Sequence, residues 1–271
     1  MPADLDDARR QLLDDGAVRI EGLLGATWCQ RLRDAIDRCR ATPSVHYGRL
    51  SPDDSPRVDS DLFRWFDDPD LRDVTHDSPL VEAACGLLGT DAAVLVEDQW
   101  FASAPGATTP SPWHQDEPYY RLDRPFLTVW ITLDDIDAEC SLRVVPGSHT
   151  AGALFGMVEF SAGASTIERG GGLAEVPDID IDPAAFGVRC WPMRAGDAIA
   201  LDSRTLHATG RGALGSSFRR LSTRWADPAT RYQPRTTGAA AFWDLLPHGL
   251  RAGDPLAGEV FPLIRGPRSS A

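Results

Sequence analysis

The chain has 271 residues, a hydrophobic fraction of 42%, a net charge of −13 and a pI near 4.8, and all 27 basic residues are arginine. That apolar content supports a sizeable core and excludes a disordered chain, while the acidic balance argues against nucleic acids and anionic membrane surfaces as partners. Five scattered cysteines without a Cys-x-x-Cys pair fit reduced thiols, and no apolar run reaches the roughly 18 residues that span a bilayer, so a cytoplasmic location is expected.

In chain order, Leu5 to Asp14 reads as a short amphipathic helix closed by Gly16, and Ala17-Val-Arg-Ile20 as a strand. Thr27 is the expected N-cap of a helix to about Arg40, with Leu32, Ile36 and Cys39 on one buried face. Residues 42–60, rich in Pro, Ser and Asp, read as a loop. Asp77 or Ser78 can cap a further helix running to Leu88 and stopped by Gly89. From Ala92 the pattern changes to short apolar runs between Gly and Pro turns: 92–103, 126–133, 142–145, 188–192, 197–201, 205–209 and 218–226. Many short strands with turn signals predict a sandwich or barrel. A stretch with Gly170-Gly-Gly172 and the acidic Asp178-Ile-Asp-Ile-Asp182 interrupts them, and the segment 150–187 reads as a lid loop. No repeat or boundary divides the chain. The expectation is a single domain over 1–271, with a helical part over about 1–90 and a β core over about 91–235.

Chemistry concentrates in Ser111-Pro-Trp-His-Gln-Asp-Glu-Pro-Tyr-Tyr120. In extended backbone the side chains of His114 and Asp116 share a face. Alone, the pair could be a surface pair or a hydrogen-bonded core histidine. His207, in Leu201-Asp-Ser-Arg-Thr-Leu-His-Ala-Thr-Gly210, supplies a third ligand type. Two imidazoles and one carboxylate make the facial set that holds Fe(II) and leaves the opposite positions open. Downstream stand Arg219 and Arg220, whose planar, permanently charged forks suit the far carboxylate of a 2-oxo acid. Strand alternation lets only one of them face the interior.

This order of His-x-Asp, distant His and Arg resembles the phytanoyl-CoA dioxygenase family of iron- and 2-oxoglutarate-dependent oxygenases. Gly16-Ala-Val-Arg-Ile-Glu-Gly22, Trp130-Ile-Thr-Leu-Asp-Asp135, Leu142-Arg-Val-Val-Pro-Gly-Ser-His149, Gly253-Asp-Pro-Leu256 and Phe261-Pro262 resemble recurrent family segments. The resemblance implies a mainly β fold with flanking helices, its core a double-stranded β-helix (a jelly-roll of the cupin type). It implies Fe(II), 2-oxoglutarate and O₂ as cofactor and co-substrates, and hydroxylation of a small molecule with release of succinate and CO₂. His114, Asp116 and His207 match the iron ligands and Arg219 the arginine that binds the 5-carboxylate of 2-oxoglutarate, with Arg220 competing for that role. Trp130, Gln99 and Thr132 are further co-substrate candidates. Ser222 falls three residues after Arg219 and cannot share its face without a bulge. Tyr119, Tyr120 and Arg121 follow the metal motif and are candidates for the substrate mouth, along with Arg124.

Two departures stand out. The family often carries a lysine before the Pro-Gly of Ser103-Ala-Pro-Gly106, where this chain has none, and Asn-Gly where it has Glu139-Cys-Ser141. Retention of Asp116 weighs against halogenation. Desaturation, cyclisation or epimerisation at the same centre stay open, as does a non-catalytic jelly-roll binding protein, which a broken triad or a missing arginine would favour. A cupin-type oxidase would begin His-x-His. His149 reads as a structural turn residue, and His46, His76 and His248 as packing or surface residues.

Overall fold

Helix signals in the first ninety residues produce α1 (Leu5–Asp15), α2 (Ala26–Ala41), α3 (Pro69–Asp77) and α4 (Pro79–Leu88). They belong to a computed structural model that describes residues 5–107, 111–158, 167–168, 172–210, 212, 214–234, 243 and 246–266. Ser78 caps α4 by accepting from the Leu80 N–H, Pro79 fills its first position, and Gly89 ends it at φ 73°. The cap of α2 is Gly25 without a side-chain bond, so Thr27 sits inside the first turn instead of capping it. The unexpected α3 has its own signal in Asp68-Pro69: the Asp68 carboxylate accepts from the N–H groups of Asp70 and Leu71.

The strands are β1 (Ala17–Ile20), β2 (Gly48–Arg49), β3 (Val58–Leu62), β4 (Ala92–Ser103), β5 (Leu127–Thr132), β6 (Leu142–Val144), β7 (Met157–Val158), β8 (Ile167–Glu168), β9 (Ala198–Asp202), β10 (His207–Thr209), β11 (Phe218–Ala226) and β12 (Leu263–Arg265). An eight-stranded antiparallel sheet runs β1-β9-β5-β11-β4-β3-β2, with β12 also on β4. Facing it, β10 pairs with β6, and single bridges add His114 to β10 and Arg189 to β6. The two sheets form the expected jelly-roll. The run 188–192, expected as a strand, contributes only the Arg189 bridge. Conversely, β2 and β3 fall where a loop was expected. Their polarity misleads, because Asp59 and Asp61 are fully buried and neutralised by Arg40 and Arg57 and by Arg64, respectively.

One face of the large sheet packs on the helices through Leu32, Ile36, Leu80, Leu95, Trp100, Leu221 and Trp225. The other face meets the small sheet through Trp130, Leu142, Val144, Ile199 and Phe218. Before β9, Gly196 sits at φ 94°, and a Cβ there would lie 2.0 Å from the Leu24 carbonyl, so this turn admits only glycine. The described part of segment 150–187 lies on the small sheet: Ile179, Val176 and Phe186 pack around Trp113, Val145 and Leu206. Gly170 and Gly171 lie outside the described residues. Among the described residues, no helix is long and apolar enough to cross a membrane.

Candidate active site

His114 and His207 face each other across an antiparallel bridge, each N–H donating to the other's carbonyl at 3.0 Å. Their rings stand 4.1 Å apart, centroid to centroid. Each Nδ1 is 2.8–2.9 Å from a backbone carbonyl, Pro112 for His114 and Thr205 for His207. Donation from Nδ1 fixes the tautomer and makes Nε2 the nitrogen that carries the lone pair. Asp116 enters the short 3₁₀ turn at Glu117–Tyr119 and swings its carboxylate to the same point. Its Oδ1 lies 3.6 Å from His114 Nε2 and 3.7 Å from His207 Nε2. The three ligand atoms lie within 4.8 Å of one another, and all three residues are buried.

Protonation states suit a cation. Burial, assisted by His207, pushes His114 down to about 3, so its imidazole is neutral near pH 7. For Asp116, burial alone would raise the value, but Arg224, the two histidines and the Thr128 hydroxyl hold it at about 2, so it stays ionised. The neutral imidazole of His114 and the His207 ring beside one carboxylate oxygen fit a divalent metal of the non-haem iron type.

The pleat of β11 decides the rest. Leu221 and Trp225 belong to the helix-side core, so Phe218, Arg220, Ser222 and Arg224 face the interior. Arg219 therefore lies outside: its guanidinium reaches Asp134 and, at 3.2 Å, Asp37 of α2. The carboxylate-binding role expected for Arg219 does not match this placement, whereas Arg220 is buried between Phe101 and Phe218, 4.6 and 5.1 Å from their ring centroids. Its hydrogen bond is to Ser103 Oγ at 3.1 Å, and no described carboxylate pairs with it. Burial alone lowers its pKa to about 10. With Ser103, Trp130, Thr209, Leu214 and Phe218, Arg220 lines a cavity of roughly 380 Å³ including its open mouth.

Gln99 points inward but is occupied at both ends, donating to Ser60 Oγ at 2.9 Å and accepting from Arg224 at 3.1 Å. Thr132 stands opposite Arg220 in register, its hydroxyl bonded to the Asp134 carbonyl. The edge of the Tyr119 ring meets His114 at 6.1 Å. Tyr120 lies away from any mouth, packed among Phe126 and Trp243 with its hydroxyl on Glu97. Arg121 reaches the Tyr232 hydroxyl at 3.3 Å, beside the same cluster. His149 is structural, buried with its Nε2 3.1 Å from the Leu13 carbonyl. Sequence reasoning passed over Arg224, Glu97 and Thr128. Counting in twos from Arg220 was the signal that could have found Arg224.

The sequence profile of the family described as Phytanoyl-CoA dioxygenase (PhyH) matches residues 12–220, more than half of the chain. The chain belongs to the phytanoyl-CoA dioxygenase family. No curated protein matches it. Among solved structures it is similar to the epimerase SnoN in complex with Fe³⁺, alpha-ketoglutarate and nogalamycin RO, with TM-score 0.75, 22% identity, and 96% of this chain and 98% of that one covered. The carbocyclase SnoK from nogalamycin biosynthesis gives TM-score 0.74 at 22% identity, covering 97% and 99%. EvdO2 from Micromonospora carbonacea var. aurantiaca, complexed with 2-oxoglutarate, gives TM-score 0.60 at 20% identity, covering 85% and 94%. These likenesses establish the jelly-roll fold, and the family profile places the chain among iron- and 2-oxoglutarate-dependent enzymes.

Proposed function

We propose that this family member hydroxylates a small-molecule metabolite or natural-product intermediate, using iron held by His114, Asp116 and His207 and 2-oxoglutarate anchored by Arg220. The observation that carries the reading is that an intact triad shares one interior with a buried arginine that has no carboxylate partner among the described residues. An unpaired buried cation is costly unless an anion joins it, and a planar fork binds a carboxylate at two points. The cavity beside Arg220 brings that guanidinium together with the Ser103 and Thr209 hydroxyls and the Trp130 and Phe218 rings, a lining that suits the carboxylate end of a small co-substrate. Ser222 shares the Arg220 face, two residues on, and adds a hydroxyl within the same row.

When bound, the metal would supply oxidation of the substrate by O₂ coupled to conversion of 2-oxoglutarate to succinate and CO₂. The residues do the positioning. His114 and His207, pinned through Nδ1, present their nitrogens without rotation, and Asp116 contributes one charge. Arg220 fixes the co-substrate's far end, while Phe101, Phe218 and Trp130 keep water from that carboxylate. Tyr119, edge-on to His114, stands next to the reacting position.

Epimerisation or cyclisation is the second reading, favoured by the SnoN and SnoK likenesses, and those outcomes use the same centre. A binding module without turnover would not need the triad and the arginine together. The test is an anaerobic titration with Fe(II) and 2-oxoglutarate, watching for the weak visible charge-transfer band. The band should appear in wild type, vanish in His207→Ala, and need far more 2-oxoglutarate in Arg220→Ala. A folded, iron-loaded wild type without the band would sink the oxygenase reading.

A further inference from the structure

The two oxygens of Asp116 have different surroundings. Oδ1 faces the two histidine nitrogens, whereas Oδ2 accepts from Thr128 Oγ1 at 2.7 Å and lies 3.6 Å from Arg224 Nε. Strand register creates this: Arg224 of β11 stands between Thr128 of β5 and Glu97 of β4, so all three side chains enter the interior on one row. The Arg224 Nη1 meets Glu97 Oε1 at 3.0 Å and Gln99 Oε1 at 3.1 Å. Glu97 in turn bonds the Tyr120 hydroxyl. The Nε of Arg224 is buried without a hydrogen bond among the described residues, and it lies 3.6 Å from Asp116 Oδ2.

A charge pair that served the fold alone would gain little here, because well-packed apolar residues replace buried ion pairs at small cost. This pair instead leaves the Arg224 Nε 3.6 Å from the Asp116 oxygen that does not face the two histidines. Beyond the roles proposed above, and resting on the iron reading, we infer that Arg224 is a positioning residue that keeps Asp116 a one-oxygen ligand, and that Glu97 sets how much of the Arg224 charge Asp116 receives. One-oxygen ligation matters because an octahedral metal with three protein ligands has three positions left. A chelating 2-oxo acid takes two and O₂ the third, so a carboxylate closing with both oxygens would block one of them.

The test uses the full chain at pH 8, above the value of about 7 to which burial raises Glu97, so that Glu97 is ionised. The double variant Arg224→Met/Glu97→Gln removes both charges and leaves neither buried alone, and Glu97→Gln removes only the counter-charge. Two properties are read by anaerobic titration and redox potentiometry: the dissociation constant for Fe(II) without 2-oxoglutarate, and the midpoint potential of the bound iron. In the double variant the constant should rise about 10- to 100-fold, the usual effect of losing a group that orients a ligand. Its potential should fall, since an unshielded Asp116 is a stronger donor that favours Fe(III). Glu97→Gln should hold Fe(II) within about threefold of wild type and shift the potential upward, because Arg224 then bears more fully on Asp116.

Opposite shifts are the signature that a merely structural role would not give. Unchanged potentials, or shifts in one direction in both variants, overturn the inference. If the double variant fails to fold, Glu97→Gln decides by itself: a rise supports, and no change or a fall overturns. Failure of the wild type to bind iron is visible before any variant is made, and it defeats the functional reading rather than this refinement.

Discussion

Arg219 and Arg220 are chemically identical neighbours that the pleat of β11 sends to opposite faces. Arg219 is an outer tie to Asp134 and the largely exposed Asp37, an arrangement worth less than about 1 kcal/mol. Arg220 is a buried cation with no carboxylate partner among the described residues. Truncating one member of a buried, hydrogen-bonded charge pair costs about 2–5 kcal/mol, which is at least about thirtyfold in affinity. Arg220→Ala should therefore weaken 2-oxoglutarate binding by thirtyfold or more, while Arg219→Ala stays within about threefold. Calorimetry on the metal-loaded variants measures both, and equal losses would show that the pocket is not the one lined by Arg220. The triad was legible in the sequence because metal chemistry admits few residue types and the His-x-Asp spacing puts two of them on one face. The arginine was not, since a shift of one residue reverses its face and only tertiary pairing fixes the register. Ser222 held the clue: it can share a face with Arg220 and never with Arg219 in regular pleating. Tyr120 misled for another reason, as its position after the motif suggested a mouth while its ring completes the cluster with Phe126 and Trp243.

Among the elements, β4 and β11 have the bounds that their apolar runs announced, 92–103 and 218–226, because alternation and flanking Gly or Pro act locally. The strands β2 and β3 were hidden, since inward aspartates look like loop residues until arginines from elsewhere neutralise them. The centre of β4 carries the same lesson on both faces. Glu97 points inward to Arg224, while Asp98 is fully buried on the helix side and no arginine among the described residues pairs with its carboxyl group. Burial, reinforced by Glu97 and Asp61 and opposed in part by the backbone at Trp65, raises Asp98 from 3.8 to about 8. Between those values the folded state holds a proton that the unfolded chain has released, so this contribution to stability is present below about pH 4 and is lost as pH rises through 8. Asp98→Asn cannot ionise and removes that slope. Its stability relative to wild type should climb steadily from pH 5 to pH 8, by on the order of 3 kcal/mol. Denaturant midpoints at the two pH values decide it. A difference between the proteins that does not change with pH would mean that Asp98 ionises normally in the fold.

Over the whole molecule, the site joins parts that the fold leaves lightly connected. His114 and His207 belong to the small sheet, Asp116 leans on Thr128 and Arg224 of the large one, and Arg220 closes the cavity from further along β11. A metal gripping all three ligands would bridge the two sheets, and 2-oxoglutarate would add a second bridge from that metal to β11. Neither grip exists in the unfolded chain, so each ligand stabilises the fold by mass action, about 2.7 kcal/mol at one hundred times its dissociation constant. For a chain of this size each kcal/mol moves Tm by roughly 2–4 °C, so Fe(II) at that excess should raise Tm by about 5–10 °C. The increments should be ordered as well as additive. Without metal, 2-oxoglutarate should have only the Arg220 contact and shift Tm little, and after metal it should add a second increment of similar size. His207→Ala should lose the metal increment and the greater part of the second with it. Arg220→Ala should keep the first and lose most of the second, since the chelating end alone binds weakly. Anaerobic calorimetric scans of the three proteins give all these values. If 2-oxoglutarate raises Tm equally with and without metal, the co-substrate does not join the triad to Arg220, and the two-bridge account of this fold fails.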